Sequence, residues 1–405
     1  AKDNDRWFHN DLWANTNIKG DRNQFLEEHL YLTARQGLSI AHSLPGFADK
    51  MEHAYDIKTL KKKSPGKFSW QDKAVNAINA YREKNEGNLS WFIVNMASTG
   101  CGKTIANAKI ERAVSKDGES LRYILALGLR SLTLQTGDSY KKDLGLDSDE
   151  LAVLVGNSAV RSLHKLQNAE ESEFSSESAE ELLTENVSYS DTISEGENQF
   201  LDIFFDEKNP SAGKAKAFLY KPVLCTTIDH MMGSVCSVRG GKYILPMLRL
   251  MSSDLIIDEI DDFAPTDLLA IARLVHLAGM LGRNVGISSA TIPQDLAEAL
   301  YRAYAAGLRS YNEFFSGKQI CSVLWCDEYS SMATRMNLQD DSQYKENHKA
   351  FLSKRLKRIL KEPVKRKGTI WDCDDLEEYG EKMQEAILTL HNHHHIIDRK
   401  SGKQV

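Results

Sequence analysis

Short blocks of consecutive apolar residues alternate along this chain with longer stretches of helical periodicity. The blocks lie at 91–96, 123–127, 151–155, 223–227, 255–258 and 285–288. Blocks this short, without polar alternation and with helix-length segments between them, predict βαβ units and a parallel sheet covered on both faces. An α/β domain is therefore expected over 67–295. Before it, 1–66 reads as helical and polar: apolar residues recur at near-helical spacing over 25–47 until Pro45-Gly46 ends the run. Residues 61–66 (KKKSPG) read as a linker with a turn. After it come a helix over 295–315, a strand at 320–326 (ICSVLWC), and a long basic helix over 345–362 stopped by Pro363.

Composition narrows the class. The 405 residues are 41% hydrophobic and 27% charged, an ordinary globular balance with chain enough for two or three domains. No run of about 18 apolar residues occurs, so no membrane-spanning helix and no membrane partner are expected. The net charge of −6 conceals an asymmetry. Residues 166–207 hold thirteen Asp or Glu and no Lys or Arg, which leaves 51 basic against 44 acidic residues elsewhere. A Ser- and Glu-rich insertion over about 166–210, disordered or solvated, thus masks a mildly basic body able to carry a phosphate-binding groove. The six cysteines, at 101, 225, 236, 321, 326 and 373, form no CxxC pair and no zinc-like spacing. They read as free thiols of a reducing cytoplasm, and a cytoplasmic location is expected. Ala1 opens a polar stretch that resembles neither a secretory signal nor a start, so the chain is expected to belong to something longer.

Four segments carry chemistry. Ala97-Ser98-Thr99-Gly100-Cys101-Gly102-Lys103-Thr104 fits a phosphate-binding loop with Ala in place of the first Gly, between an apolar strand and a helix-like run. There the glycines let backbone N–H groups turn inward, Lys103 reaches the β- and γ-phosphates of ATP, and Thr104 offers its hydroxyl to Mg²⁺. Asp258-Glu259-Ile260-Asp261 follows an apolar strand 155 residues beyond Lys103. Asp258 is the expected Mg²⁺ carboxylate and Glu259 the group that polarises the attacking water. Ser289-Ala290-Thr291 follows the next strand, with hydroxyls placed to bond the Asp258 or Asp261 carboxylates and couple them to the nucleotide. Phe68-Ser69-Trp70-Gln71 stands 32 residues ahead of Lys103, offering an aromatic ring to stack on adenine and an amide to read it.

Gln71, the phosphate loop, the DEID box and the SAT triplet occur in the order and context of superfamily 2 helicases, motors of two RecA-like lobes. Two further segments are similar to that superfamily's DNA-contacting motifs: 125–135 (LALGLRSLTLQ), with Arg130 and Gln135, and 223–231 (VLCTTIDHM), with Thr226 and Thr227. Within the superfamily the chain resembles the CRISPR-associated helicase-nuclease of type I systems, in its subtype I-F form. That placement rests on FSWQ, TGCGKT, DEID and the long insertion before TTID.

The resemblance implies an α/β fold: a first RecA-like lobe with a mostly parallel sheet over 67–295, and helices plus the start of a second lobe over 296–405. It implies an ATP- and Mg²⁺-dependent single-stranded DNA translocase, recruited by an RNA-guided surveillance complex that has displaced one DNA strand. It also implies links to the spacer integrase and to phage inhibitor proteins. The family's nuclease carries a His-Asp metal motif. No His-Asp dipeptide occurs here, so the nuclease is expected upstream of Ala1. No QxxGRxxR-like segment is found either, and the second-lobe arginine finger is expected beyond Val405. Other readings stay open: a restriction-type translocase or RNA helicase of the same superfamily, or an ATP-binding regulatory module without turnover. Two C-terminal features read as bland: the His-rich 391–395 as a helix end, and the basic residues from Lys354 to Lys367 as a solvated helix face or a DNA-facing one.

Overall fold

A computed structural model describes residues 12–16, 22–128, 130–154, 212–236, 240–363, 368 and 370–394. The acidic stretch lies outside the described residues. The chain divides into two compact units, Ala1–Arg355 and Leu356–Val405. In chain order the described strands are β1 (Trp13–Thr16), β2 (Arg22–Phe25), β3 (Asn88–Asn95), β4 (Tyr123–Leu127), β5 (Leu151–Leu154), β6 (Val223–Thr227), β7 (Asp254–Asp258), β8 (Val285–Ser288), β9 (Gln319–Cys326) and β10 (Ser331–Arg335). The helices are α1 (Leu26–Ser43), α2 (Lys58–Lys61), α3 (Trp70–Lys84), α4 (Lys103–Val114), α5 (Arg130–Ser139), α6 (Ala212–Tyr220), α7 (Asp229–Cys236) and α8 (Gly240–Ser252). They continue with α9 (Pro265–Met280), α10 (Gln294–Phe314), α11 (Ser342–Ile359) and α12 (Leu376–His394).

The described eight-stranded sheet has the order β10-β9-β3-β8-β7-β4-β6-β5. Every neighbouring pair is parallel except β10 with β9. This is the RecA-like α/β fold, with a phosphate-type loop leaving an interior strand. The central strands show no alternation of burial because helices cover both faces. On β3 successive side chains enter different cores. Phe92 and Val94 pack with Leu274, Tyr301 and Tyr304, while Trp91 and Ile93 pack with Trp70, Ile78 and Ile110. Burying a large apolar side chain of this kind stabilises by about 1.5–3 kcal/mol, so the loop after β3 leaves a firmly anchored strand.

The sheet runs past the boundary expected at 295. β9 pairs with β3 along its whole length, from Asn88↔Gln319 to Asn95↔Cys326, and β10 folds back antiparallel at the edge. Residues 319–335 therefore belong to the first sheet rather than opening a second lobe. The physical reason is non-local: a strand's partner lies hundreds of residues away in sequence, and its apolar run names no partner.

The reading of 1–66 also changes. β1 and β2 form an antiparallel pair, with Trp13 stacked on Phe25 at 4.1 Å, ahead of the expected helix α1. Phe47, Met51, Ala54, Ile57 and Leu60 are buried, and Ala54 exchanges backbone hydrogen bonds with Leu121. These residues thus pack into the fold, ahead of the largely exposed stretch 61–66.

Candidate nucleotide-binding site

In a parallel sheet the loops at the carboxyl ends of the strands gather along one rim, where ligands bind. The phosphate-type loop, the DEID box and the SAT triplet all lie there, after β3, β7 and β8. The chain leaves β3 through Asn95, whose Oδ1 accepts from the Ala97 N–H at 3.2 Å and whose Nδ2 donates to Asn107 at 2.8 Å. Gly100 and Gly102 have φ of +77° and +80°, the left-handed region that favours glycine. At Gly102 a Cβ would also lie 2.7 Å from Gln71 Nε2 and 3.0 Å from the Phe68 ring. α4 then begins at Lys103, so its positive N-terminal end faces the loop. Thr99 and Gly100 are exposed, while Ser98, Cys101, Gly102 and Thr104 are half-buried.

Lys103 is 8% exposed. Its Nζ lies 3.2 Å from Glu259 Oε1 and makes no hydrogen bond to any described acceptor. A buried ammonium with one imperfect partner costs free energy, and the phosphates of a nucleotide would supply what it lacks. Asp258 ends β7, where it stands in register with Ser288, and its Oδ1 accepts from the Glu259 N–H at 3.1 Å. Burial, with the Glu259 charge adding to it, pushes the Asp258 carboxyl up to about 6, against the pull of Ser288 and Lys103. A carboxylate so poor in compensating charge is chemically suited to a divalent cation. Glu259 takes φ +48°, a strained conformation for a non-glycine residue. The Ser289 hydroxyl joins both acids: it donates to Asp261 Oδ1 and lies 3.2 Å from Glu259 Oε2. Thr291 donates to the other Asp261 oxygen. Burial works against ionisation of Asp261, but these two hydroxyls hold its carboxyl below the usual value. Ala290 is half-buried between them.

Phe68 and Gln71 flank the loop, and the Gln71 amide is engaged within the protein. Gln71 is 2% exposed; its Nε2 donates to Gly102 O at 3.0 Å and its Oε1 accepts from Ser64 Oγ at 2.7 Å. The amide thus braces the loop, helped by Trp70, whose indole donates to Cys101 O at 3.0 Å. Lys109, on α4, fixes the direction of this bracing. Its Nζ donates to Ser64 Oγ and Asp72 at 2.7 Å each, leaving the Ser64 hydrogen for Gln71.

The expected DNA-facing residues lie at the end of β6 and on α5, which follows β4, and the two threonines are placed differently from the expectation. Thr226 and Thr227 are fully buried, and their hydroxyls lie 2.8 Å and 3.2 Å from His230 Nδ1. Neither can offer a hydroxyl to a phosphate chain in this arrangement, because β6 carries them into the protein interior. Gln135 is exposed on α5. Arg130 begins α5, and its side chain lies outside the described residues. Sequence reasoning missed His230, Glu328 and Arg355. Arg355 stood inside the basic run; its spacing from Tyr344, His348 and Phe351 on one helix face was the signal available.

Comparison with known proteins places these features. No family model matches the chain. It is 37% identical over 401 residues to the CRISPR-associated nuclease/helicase Cas3 subtype I-F/YPEST of Pseudomonas aeruginosa, covering 95% of this chain and 36% of that protein. It is 36% identical over 417 residues to the protein of the same description from Pectobacterium atrosepticum, covering 97% and 37%. The chain thus spans about a third of the length of the curated relatives it matches. Among solved structures, T. fusca Cas3-ATP overlaps 69% of this chain and 28% of its own, at 17% identity and a TM-score of 0.40. A further T. fusca Cas3 structure overlaps the same shares at 18% identity and a TM-score of 0.41.

Proposed function

From its homology to the subtype I-F Cas3 nuclease/helicases, over about a third of their length, we propose that this chain is the nucleotide-binding lobe of an ATP-driven single-stranded DNA translocase. The observation that carries the reading is the convergence of Lys103, Asp258, Glu259, Ser289 and Asp261 on one rim, with Lys103 buried and incompletely partnered. Phosphoryl transfer needs little covalent help from a protein; positioning and charge supply most of the stabilisation. The loop 98–104 would hold the phosphates and Lys103 would neutralise them. Asp258 and Thr104 would hold Mg²⁺, which when bound offsets charge on the phosphate oxygens. Glu259 would orient and polarise a water, exchanging its contact with Lys103 for that task. Ser289 and Thr291 tie the acidic turn to β8, so a change at Glu259 is felt at Asp261. In the whole protein this lobe would drive a strand displaced by an RNA-guided complex.

The test is ATP hydrolysis by the full-length gene product, with and without single-stranded DNA, beside Asp258→Ala and Lys103→Ala. DNA-stimulated turnover that both variants lose, with the fold retained by circular dichroism, is the expected result. Nucleotide binding without stimulated turnover would replace the motor with a regulatory module. Stimulation by RNA rather than DNA would move it to the RNA helicases.

A further inference from the structure

Another charged group touches the phosphate loop, from the turn between β9 and β10. Asp327 Oδ1 accepts from the N–H groups of Tyr329 (2.8 Å) and Ser330 (2.6 Å), which folds the turn and aims Glu328 at the loop. The Glu328 carboxylate accepts from the Ser98 N–H at 3.0 Å and from the Ser98 hydroxyl at 2.5 Å. Arg355, on α11, donates to Glu328 at 2.8 Å and to Ser98 Oγ at 3.1 Å, and lies 3.2 Å from Asp327. Arg355 is 7% exposed and Asp327 fully buried. Burial opposes the ionisation of Glu328, but Ser98 and Arg355 hold its carboxyl below the usual value.

Buried ion clusters are a weak source of stability, since apolar residues of equal volume do as well. This one has two carboxylates to one guanidinium, so it carries a net negative charge. It sits on a loop whose proposed ligand is a polyanion, and its carboxylate occupies a backbone N–H and a hydroxyl of that loop. An arriving triphosphate would be repelled by Glu328 and attracted by Arg355.

We propose that Glu328 and Arg355 form a nucleotide-sensing strap: Arg355 binds the terminal phosphate of a nucleoside triphosphate, and Glu328 is the counter-anion that holds Arg355 and Ser98 until it arrives. This rests on the reading of 98–104 as a phosphate loop. Its consequence is that the two partners of one ion pair act in opposite directions. Glu328→Gln keeps the shape and one of the two acceptors for Ser98 but removes the charge, so affinity for ATP rises by about three- to tenfold while ADP changes little. Arg355→Gln lowers ATP affinity by about tenfold and erases the preference for ATP over ADP.

The experiment is equilibrium titration of the full chain with fluorescent ATP and ADP analogues, for wild type, Glu328→Gln, Arg355→Gln, the double variant and Lys103→Ala. Opposite shifts of the single variants, with the double variant resembling Arg355→Gln, support the strap. Parallel loss of both nucleotides in both variants, or no change in either, overturns it and leaves a structural clamp. Glu328→Gln is isosteric and decides the matter even if Arg355→Gln unfolds. Wild-type binding that Lys103→Ala abolishes keeps the phosphate-loop reading where the strap fails. A folded wild type that binds no nucleotide overturns both.

Discussion

The strand ends at β3, β7 and β8 form one set and the end of β6 a second, and the two use polar groups differently. At the first set, charges are brought together and left incompletely satisfied: Lys103 has one ion-pair contact, and Asp258 is buried beside another acid. At the second set, Thr226, Thr227 and His230 satisfy one another inside the protein. A buried polar group must find a partner. A group the fold leaves incompletely partnered is available to a ligand. Two rim segments with equally suggestive sequences therefore differ in kind.

The sharpest way to break this contrast is Gly102→Ala. Its φ of +80° costs an L residue about 1–3 kcal/mol. The new Cβ, 2.7 Å from Gln71 Nε2, would push away the amide that braces the loop. Nucleotide affinity is expected to fall by about a hundredfold or more in a fluorescent-nucleotide titration. An affinity within threefold of wild type would show that the brace is irrelevant to binding.

Asp258→Asn comes next and tests the unsatisfied charge directly. Asp258 is raised to about 6 when folded, above its ordinary value of 3.8. Its protonated form therefore favours the fold at low pH. That contribution is complete below the unfolded value and is lost as pH rises through about 6. By pH 7 the loss reaches about 2–3 kcal/mol in the metal-free protein. The Asn variant should lack this slope in urea unfolding between pH 4.5 and 7.5. It should be more stable than wild type at pH 7 by about 2 kcal/mol, yet unable to turn over ATP. A slope that persists in the variant would assign it to another group, such as Asp229, whose carboxyl burial also raises.

The same contrast explains what could be read from the sequence. The interior strands were legible because burial on both faces leaves uninterrupted apolar runs, and β4, β6 and β8 match the apolar blocks. The phosphate-type loop was legible because its glycines are demanded by local backbone geometry. The partner of β9, 231 residues from β3 at their first residues, was not, because pairing is a long-range choice among similar apolar runs. Nor was the fate of hydroxyls. Ser289 and Thr226 look alike in sequence as small polar residues at strand ends. Only the register that brings Asp261 to one and His230 to the other separates them. Arg355 was hidden for a similar reason: in a run of basic residues, only the packed face of α11 singles it out.

A smaller effect is expected from Ser289→Ala, which cuts the link between Glu259 and Asp261 without touching the loop. Nucleotide affinity should stay within about twofold, while DNA-stimulated hydrolysis falls by about tenfold toward the unstimulated rate. Equal losses in both would make Ser289 a binding residue rather than a coupling one.

The smallest expected effect, on DNA binding, comes from the inward-turned end and tests the comparison most directly. Thr226→Val and Thr227→Val keep side-chain shape but take a hydroxyl from His230. Each removes one of the two hydroxyls at His230 Nδ1, and losing one such hydrogen bond costs about 0.5–1.5 kcal/mol, so each variant should unfold at a lower urea concentration. Single-stranded DNA affinity should change by less than about twofold, and its salt slope should be unaltered, because no phosphate contact is lost. Gln135→Ala is the counterpart on the exposed face of α5, expected to weaken DNA binding by about threefold with no loss of stability. The two kinds of variant thus exchange their phenotypes. If the threonine variants instead lowered the salt slope by about one while keeping wild-type stability, β6 would have to release its hydroxyls to the strand on binding. The division between inward-turned and ligand-facing ends would then hold only for the nucleotide- and DNA-free state.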